Sequence, residues 1–369
     1  MEGFKDCFGA VPDPRAANAR HDFLEVIFIA LAAVLCGAES CSDMADFGEA
    51  KKLLLKPMLK LQHGVPSHDT FSRVFRLLDP EAFEAAFAQF TRAFAKPLKG
   101  VVAIDGKALR GAYERGARTS PLHLVNIWAV EARLVVGQRL APGRNEIAGA
   151  LEALSLLDLT GCIVTADALH CHAETAKVII DQGGDYVLAL KDNQPGLLAK
   201  AKAIMKNRRR TSVAVTPVER GHDRIEQRSA AVVEAAALGR LHDFKGLAAV
   251  ARIVARRRGA SGREPNVERY FLLSTPLSAE RVLEVVRSHW AIENQLHWVL
   301  DVAFNEDRAR SRKDHAPRNL ATVRKMALNI LNSHPDKASM RRKIKRAGWD
   351  DAFLQNLLTQ MRFPWPARG

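Results

Sequence analysis

The chain has 369 residues, 47% of them hydrophobic and 26% charged, and carries a formal net charge of +14 with a pI near 9.8. That length and apolar content supply a large core, exclude a disordered chain and lead us to expect two or three domains, or one domain with insertions. The charge excess favours a polyanionic partner, nucleic acid ahead of a membrane surface.

The five cysteines, Cys7, Cys36, Cys41, Cys162 and Cys171, are odd in number and include no C-x2-C spacing. This argues against a disulfide framework or a zinc ribbon and for a reducing compartment. The longest apolar run, VIFIALAAVLC over Val26–Cys36, is too short to span a bilayer and no signal peptide precedes it, so a cytoplasmic chain is expected.

Residues 1–97 read as a helical module. Pro12-Asp13-Pro14-Arg15 is a turn. Helices are expected over His21–Cys36, Cys41–Ala50, the basic stretch Lys51–Lys60, a segment starting at Ser67–Arg73 with Ser67 or Asp69 as cap, and Pro80–Phe94. Such a module ahead of a different texture is either a DNA-end recognition domain or a packing domain without a ligand.

From 98 to 206 the pattern becomes mixed α/β. Val101–Ile104 reads as a short buried strand ending on Asp105-Gly106-Lys107, although Asp-Gly after a strand is also a hairpin signal. Strands over Leu122–Val130 and Leu134–Leu140, a helix over Asn145–Leu157, and a very apolar strand Cys162–Ala166 ending on Asp167 follow. His170-Cys171-His172 looks metal-like, but adjacent residues on a helix point in different directions, so it reads as the start of helix Ala173–Gln182. Strand Tyr186–Leu190 and helix Pro195–Lys206 close the run. Three strands followed by alternating β and α make a mixed sheet with flanking helices.

Two strands thus each deliver an aspartate at their ends, where open α/β sheets bind ligands. Carboxylates brought together there repel unless a cation intervenes, and hard oxygen donors with little His or Cys suit Mg2+ or Mn2+.

Residues 207–276 read as a β-rich insertion. Strands are expected over Thr211–Val218, Ile225–Val233 and Glu268–Ser274, with a hairpin-like turn at Glu219–Arg224. Basic triplets at Arg208–Arg210 and Arg256–Arg258 favour a surface that tracks phosphates. Residues 277–335 follow with a helix capped by Ser278. In it Ile292, Leu296, Val299 and Ala303 form an apolar stripe, edged by Glu293, His297 and Asp301 at four-residue spacing. Glu293 is the natural third carboxylate for the two aspartates, with Glu306 or Asp307 as competitors. Arg308–Arg346 holds thirteen Lys or Arg against two Asp. Ala316–Leu331 alternates basic and apolar residues, which favours a DNA-phosphate surface running into a basic tail region over 336–369.

Ile104-Asp105-Gly106-Lys107, Thr165-Ala166-Asp167-Ala168 and, above all, the run from His289-Trp290 through Ile292-Glu293-Asn294, Leu296–Val302 and Phe304 to Glu306-Asp307 resemble the H-repeat-associated insertion-sequence transposases. Pro12–Arg15, Gly64–Phe71, Leu188–Gln194 and Gly221-His222-x-Arg224-Ile225-Glu226 fit the same family, so the resemblance runs from about residue 5 to about residue 333. It implies a DDE transposase with an RNase H-like core and Asp105, Asp167 and Glu293 as catalytic and metal-binding residues. Two Mg2+ ions are implied, with Mn2+ able to substitute.

The implied partner is double-stranded DNA, as terminal inverted repeats and target. A homodimer would pair two ends at the bacterial nucleoid, with no membrane role. Related transposases with this insertion carry a Y-x2-R-x3-E-x6-K pattern. Here Val286, His289 and Leu300 stand at the Tyr, Arg and Lys positions, so only the glutamate survives. Lys107, Lys191, Arg224, His289, His297, Arg308, Arg310, Arg312 and Lys313 are the candidates for DNA contacts. Two other readings stay open: a catalytically inactive DNA-binding derivative, and a Mg2+-dependent nuclease that does not join strands.

Overall fold

The computed structural model describes residues 2–94, 97–113, 121–207, 209–221, 224–234, 244–259, 262–263 and 266–360. Six helices open it: α1 (Glu2–Phe8), α2 (Phe23–Leu35), α3 (Cys41–Ala50), α4 (Lys52–Leu55), α5 (His68–Leu77) and α6 (Pro80–Phe94). α2 is apolar almost all round and is buried accordingly. Asp22 caps it by accepting the Glu25 N–H, and Ser40 and Asp43 close a reciprocal capping box on α3. The helix expected over Lys51–Lys60 shrinks to the single turn of α4. The chain leaves it so that the N–H groups of Lys60 and Leu61 can bond the buried Glu25 carboxylate.

Among the described residues, eleven strands then form one sheet in the order β3-β2-β1-β4-β5-β11-β9-β8-β6, with β10 beside β9 and β7 beside β8. They are β1 (Gly100–Tyr113), β2 (Pro121–Ala129), β3 (Leu134–Leu140), β4 (Cys162–Ala166), β5 (Asp185–Leu190), β6 (Ser212–Val215), β7 (Glu219–Gly221), β8 (Arg224–Glu234), β9 (Ala249–Gly259), β10 (Gly262–Arg263) and β11 (Val267–Leu273). β1, β2 and β3 are antiparallel neighbours, whereas β4 runs parallel to β1 and β5 parallel to β4. This is the RNase H-like mixed sheet. Helices α7 (Glu146–Ser155), α8 (Ala173–Asp181) and α9 (Pro195–Asn207) connect its strands and share a core with β4 and β5.

Two expectations change here. The Asp-Gly step is not a turn: β1 continues through it to Tyr113, paired with β2. The β-rich stretch after α9 extends the same sheet, because β11 pairs antiparallel with β5 and β9 lies beside β11. Arg256–Arg258 fall inside β9, a strand the sequence reading missed.

The chain then runs through α10 (Ala279–His289), a π-helical segment at Ile292–His297, α11 (Trp298–Ala303), α12 (Ala316–Ser333), α13 (Met340–Trp349) and α14 (Asp351–Thr359). α11 to α14 pack into one core with α1 to α6, against Ala103, Trp128 and Val135 of the sheet. The region from 336, expected as a basic tail, therefore contains two packed helices. Every residue of α12 from Ala316 to Leu331 is buried. Arg318 forks onto Glu84 of α6 through two 2.7 Å hydrogen bonds, and Lys325 Nζ reaches Gln138 Oε1 at 2.6 Å. The alternating basic positions of α12 are thus internal, Arg318 paired with an acid from a distant helix and Lys325 with an amide of the sheet, and do not form a DNA surface. No helix among the described residues is long and apolar enough to cross a membrane.

Candidate active site

The parallel pairing of β1 with β4 stops at Ile104 and Ala166. Asp105 and Asp167 are the next residues on these adjacent strands, which sets them side by side. β1 stays hydrogen-bonded to β2 at this point, with Asp105 opposite Asn126, so Asp105 sits within a strand and not at its end. β4 does end, and Asp167 caps the following 3-10 turn by accepting the Leu169 N–H at 3.0 Å. His172 then stands at the N-terminus of α8, as expected of a helix start.

Glu293 arrives from the helix that lies over the sheet. It belongs to the π-helical segment, where the Trp298 N–H bonds the Glu293 carbonyl five residues back. Such a bulge absorbs about one extra residue. In a regular α-helix, residues eight apart differ by about 80° in azimuth, whereas one absorbed residue brings them to within about 20°. Glu293 and Asp301 therefore both turn toward β1, aided by Ile292, Leu296 and Leu300, which are fully buried beneath them.

Asp105, Asp167 and Glu293 line one cleft of about 250 Å³ that also takes in Lys191, Arg269, His289 and Trp290. Asp105, Glu293 and His297 form its tightest group, each offering a ligand atom within 4.8 Å of the others; Asp167 stands outside that group. His297 Nδ1 is 3.6 Å from both the Asp105 and the Glu293 carboxylates. Its Nε2 is 3.5 Å from Asn126 Nδ2. Burial, the hydrogen bond and charge of Glu293, and the charge of Asp167 push Asp105 up to about 8, against a smaller opposing effect of the Gly106 N–H. Glu293 falls to about 2, chiefly through its hydrogen bond with His297. Burial holds His289 below the ordinary histidine range, and its Nδ1 lies 2.7 Å from Thr165 Oγ1. Carboxyls that hold a proton between them at neutral pH are poised to exchange it for a divalent cation. Their hard oxygens suit Mg2+ or Mn2+, and the imidazole favours Mn2+.

The candidate DNA contacts separate into groups. Lys191 is exposed where it lines the cleft, and Arg308, Arg310, Arg312 and Lys313 are exposed on the segment after α11. His289 forms part of the cleft wall. Lys107 and His297 are corrections: both are buried, Lys107 against Asp301 at 2.6 Å and His297 inside the carboxylate group. The Arg224 side chain, like His222 and Arg208, lies outside the described residues. His297 lies among the carboxylates, and its spacing of four from Glu293 carried that signal in the sequence. Asn126 was missed because strand pairing alone reveals it.

A family model for the DDE_Tnp_1-associated region matches residues 5–91, and the Transposase DDE domain model matches residues 96–330. Two Escherichia coli (strain K12) proteins are similar along almost their whole length. Putative protein YbfL is 35% identical over 94% of this chain and 95% of its own. H repeat-associated putative transposase YhhI is 34% identical over the same shares. Among solved structures, a piggyBac transposase synaptic complex with hairpin DNA aligns with a TM-score of 0.44 and 10% identity, over 99% of this chain and 79% of that one.

Proposed function

We propose, from the premise that the chain belongs to the DDE transposase family, that it cuts the ends of an insertion sequence and joins them to target DNA by metal-dependent phosphoryl transfer. Asp105, Asp167 and Glu293 are the ligand carboxylates in this reading. The observation that carries it is the convergence of these three groups on one cleft, with Asp105 pushed up to about 8 by burial and by its carboxylate neighbours. A pair of Mg2+ or Mn2+ ions bound there would activate the attacking oxygen and stabilise the leaving one. The chain supplies the rest. His297 holds the Glu293 carboxylate ionised and turned toward Asp105. Lys191 meets phosphate at the cleft, and Arg308, Arg310, Arg312 and Lys313 follow the backbone beyond it. No serine or tyrosine nucleophile is needed, because water attacks in the first cut and a DNA 3′-OH attacks in strand transfer.

In the same reading residues 1–97 bind the element's ends, 98–206 and 277–335 form the catalytic core, 207–276 extend it, and two copies of the chain pair two ends. A strand-transfer assay with pre-cleaved terminal repeats, the purified chain and Mg2+ tests the proposal. Joined product is expected. Cut product alone would identify a nuclease, and bound but uncut DNA an inactive derivative; either would overturn it.

A further inference from the structure

Lys107 and the acids Asp301, Glu306 and Asp307 recur in the long sequence motifs, yet none of them lines the catalytic cleft. The geometry points to a positioning role: we propose that the Lys107–Asp301 pair is a brace that fixes the separation of Asp105 from Glu293. The proposal rests on the ligand assignment above and deepens it.

Lys107 lies two residues beyond Asp105 on β1 and so on the same face of the sheet. It is only 7% exposed, and its Nζ lies 2.6 Å from Asp301, 3.5 Å from Asp307 and 3.8 Å from Glu306. Asp301 lies four residues beyond His297 on the catalytic helix. The strand advances about 6.6 Å from Asp105 to Lys107, and the helix about 6 Å from His297 to Asp301. These rises match. Helix and strand therefore meet at two successive levels, His297 against Asp105 and Asp301 against Lys107.

A one-residue slip of β1 would turn Lys107 to the opposite face, and the loss of the π bulge would swing Asp301 away from β1 relative to Glu293. Either change would break the lower contact. Buried ion pairs are weak sources of net stability, and fixing register is their best-attested use. The turn after α11 adds to the brace. The Arg110 N–H reaches the Asp307 carboxylate at 3.4 Å. A Cβ at Gly111 would come within 2.5 Å of the Ala309 carbonyl oxygen, so the backbone of this turn rests directly on β1.

The test uses the full chain and Mn2+ binding read by electron paramagnetic resonance, alongside end-duplex binding in chelator. Lys107→Met removes the ammonium; Asp301→Glu keeps the charge but lengthens the brace by one methylene. Both are expected to weaken Mn2+ binding roughly ten- to hundredfold, as loss of groups that orient metal ligands does. The Mg2+ concentration for half-maximal cleavage should rise in parallel, with duplex binding unchanged. A group that merely supports the fold would lower the melting temperature and leave Mn2+ affinity alone, and that result would overturn the proposal. If Lys107→Met does not fold, Asp301→Glu decides by itself: wild-type Mn2+ affinity overturns the brace. Asp105→Asn serves as the separate control. If it binds Mn2+ as tightly as the wild type, the ligand assignment fails and the brace with it.

Discussion

Replacing Asp105 by Asn should make the metal-free chain more stable, although it removes one of the proposed metal ligands. In the folded chain the Asp105 carboxyl moves from 3.8 to about 8, while Glu293 moves from 4.5 to about 2. The two share one proton, so the pair sets the cost, and the rise outweighs the fall by somewhat under two pH units. Each unit corresponds to about 1.4 kcal/mol. Glu293 has a half-exposed side chain, so solvent screening reduces its favourable share. The charged pair then costs the metal-free fold about 2–4 kcal/mol at pH 8. Because the folded pKa of Asp105 lies above its unfolded value, the folded chain binds the extra proton. Its contribution to stability is complete below pH 4 and is lost as the pH rises through 8. Thermal melts in chelator from pH 5 to 8.5 should show the wild type losing several degrees relative to Asp105→Asn. Mn2+ should restore the wild type and leave the variant unmoved. A variant less stable than wild type at pH 8 without metal, or one stabilised by Mn2+ to the same extent, would refute the reasoning.

Gly111→Ala should cost roughly 1–3 kcal/mol, the usual range for overpacking, because its Cβ would meet the backbone carbonyl of Ala309; a melt indistinguishable from wild type would count against that contact. Arg318→Ala would remove the bidentate partner of Glu84, which keeps Arg139 at 3.1 Å and Gln138 at 2.7 Å. It should destabilise the fold by roughly 1–3 kcal/mol, and denaturant midpoints would measure this. Leu300→Ala, on the buried side of the helix that carries Glu293, should cost roughly 2–5 kcal/mol, and a smaller loss would mean the helix packs more loosely than its burial indicates. Arg310→Ala should weaken duplex binding and lower the salt slope by about one, uniformly across sequences; an unchanged slope would remove Arg310 from the DNA surface.

Local chemistry made much of this chain legible. β4 reads from its sequence because an apolar run bounded by turn residues can be little else, and Asp167 at its end was visible for the same reason. Asp105 was visible as a residue but not in its setting. Whether Asp-Gly turns or continues depends on pairing with β2, and Gly106 allows Glu146 to pass within 2.1 Å of where a Cβ would sit. α12 misled because its basic positions look solvated until Glu84, 234 residues away in sequence, is known to neutralise Arg318. The π bulge left no trace in the four-residue spacing of Glu293, His297 and Asp301. That spacing nevertheless marked all three as neighbours, and the bulge decides which way they face.

The most direct test of the central claim is cleavage of a duplex carrying the element's terminal inverted repeat by wild type and Glu293→Gln, in Mg2+ and in chelator. Wild type should cut in Mg2+ alone. Glu293→Gln should cut in neither condition while still binding the duplex. Cutting by purified Glu293→Gln, or by wild type in chelator, would contradict that claim.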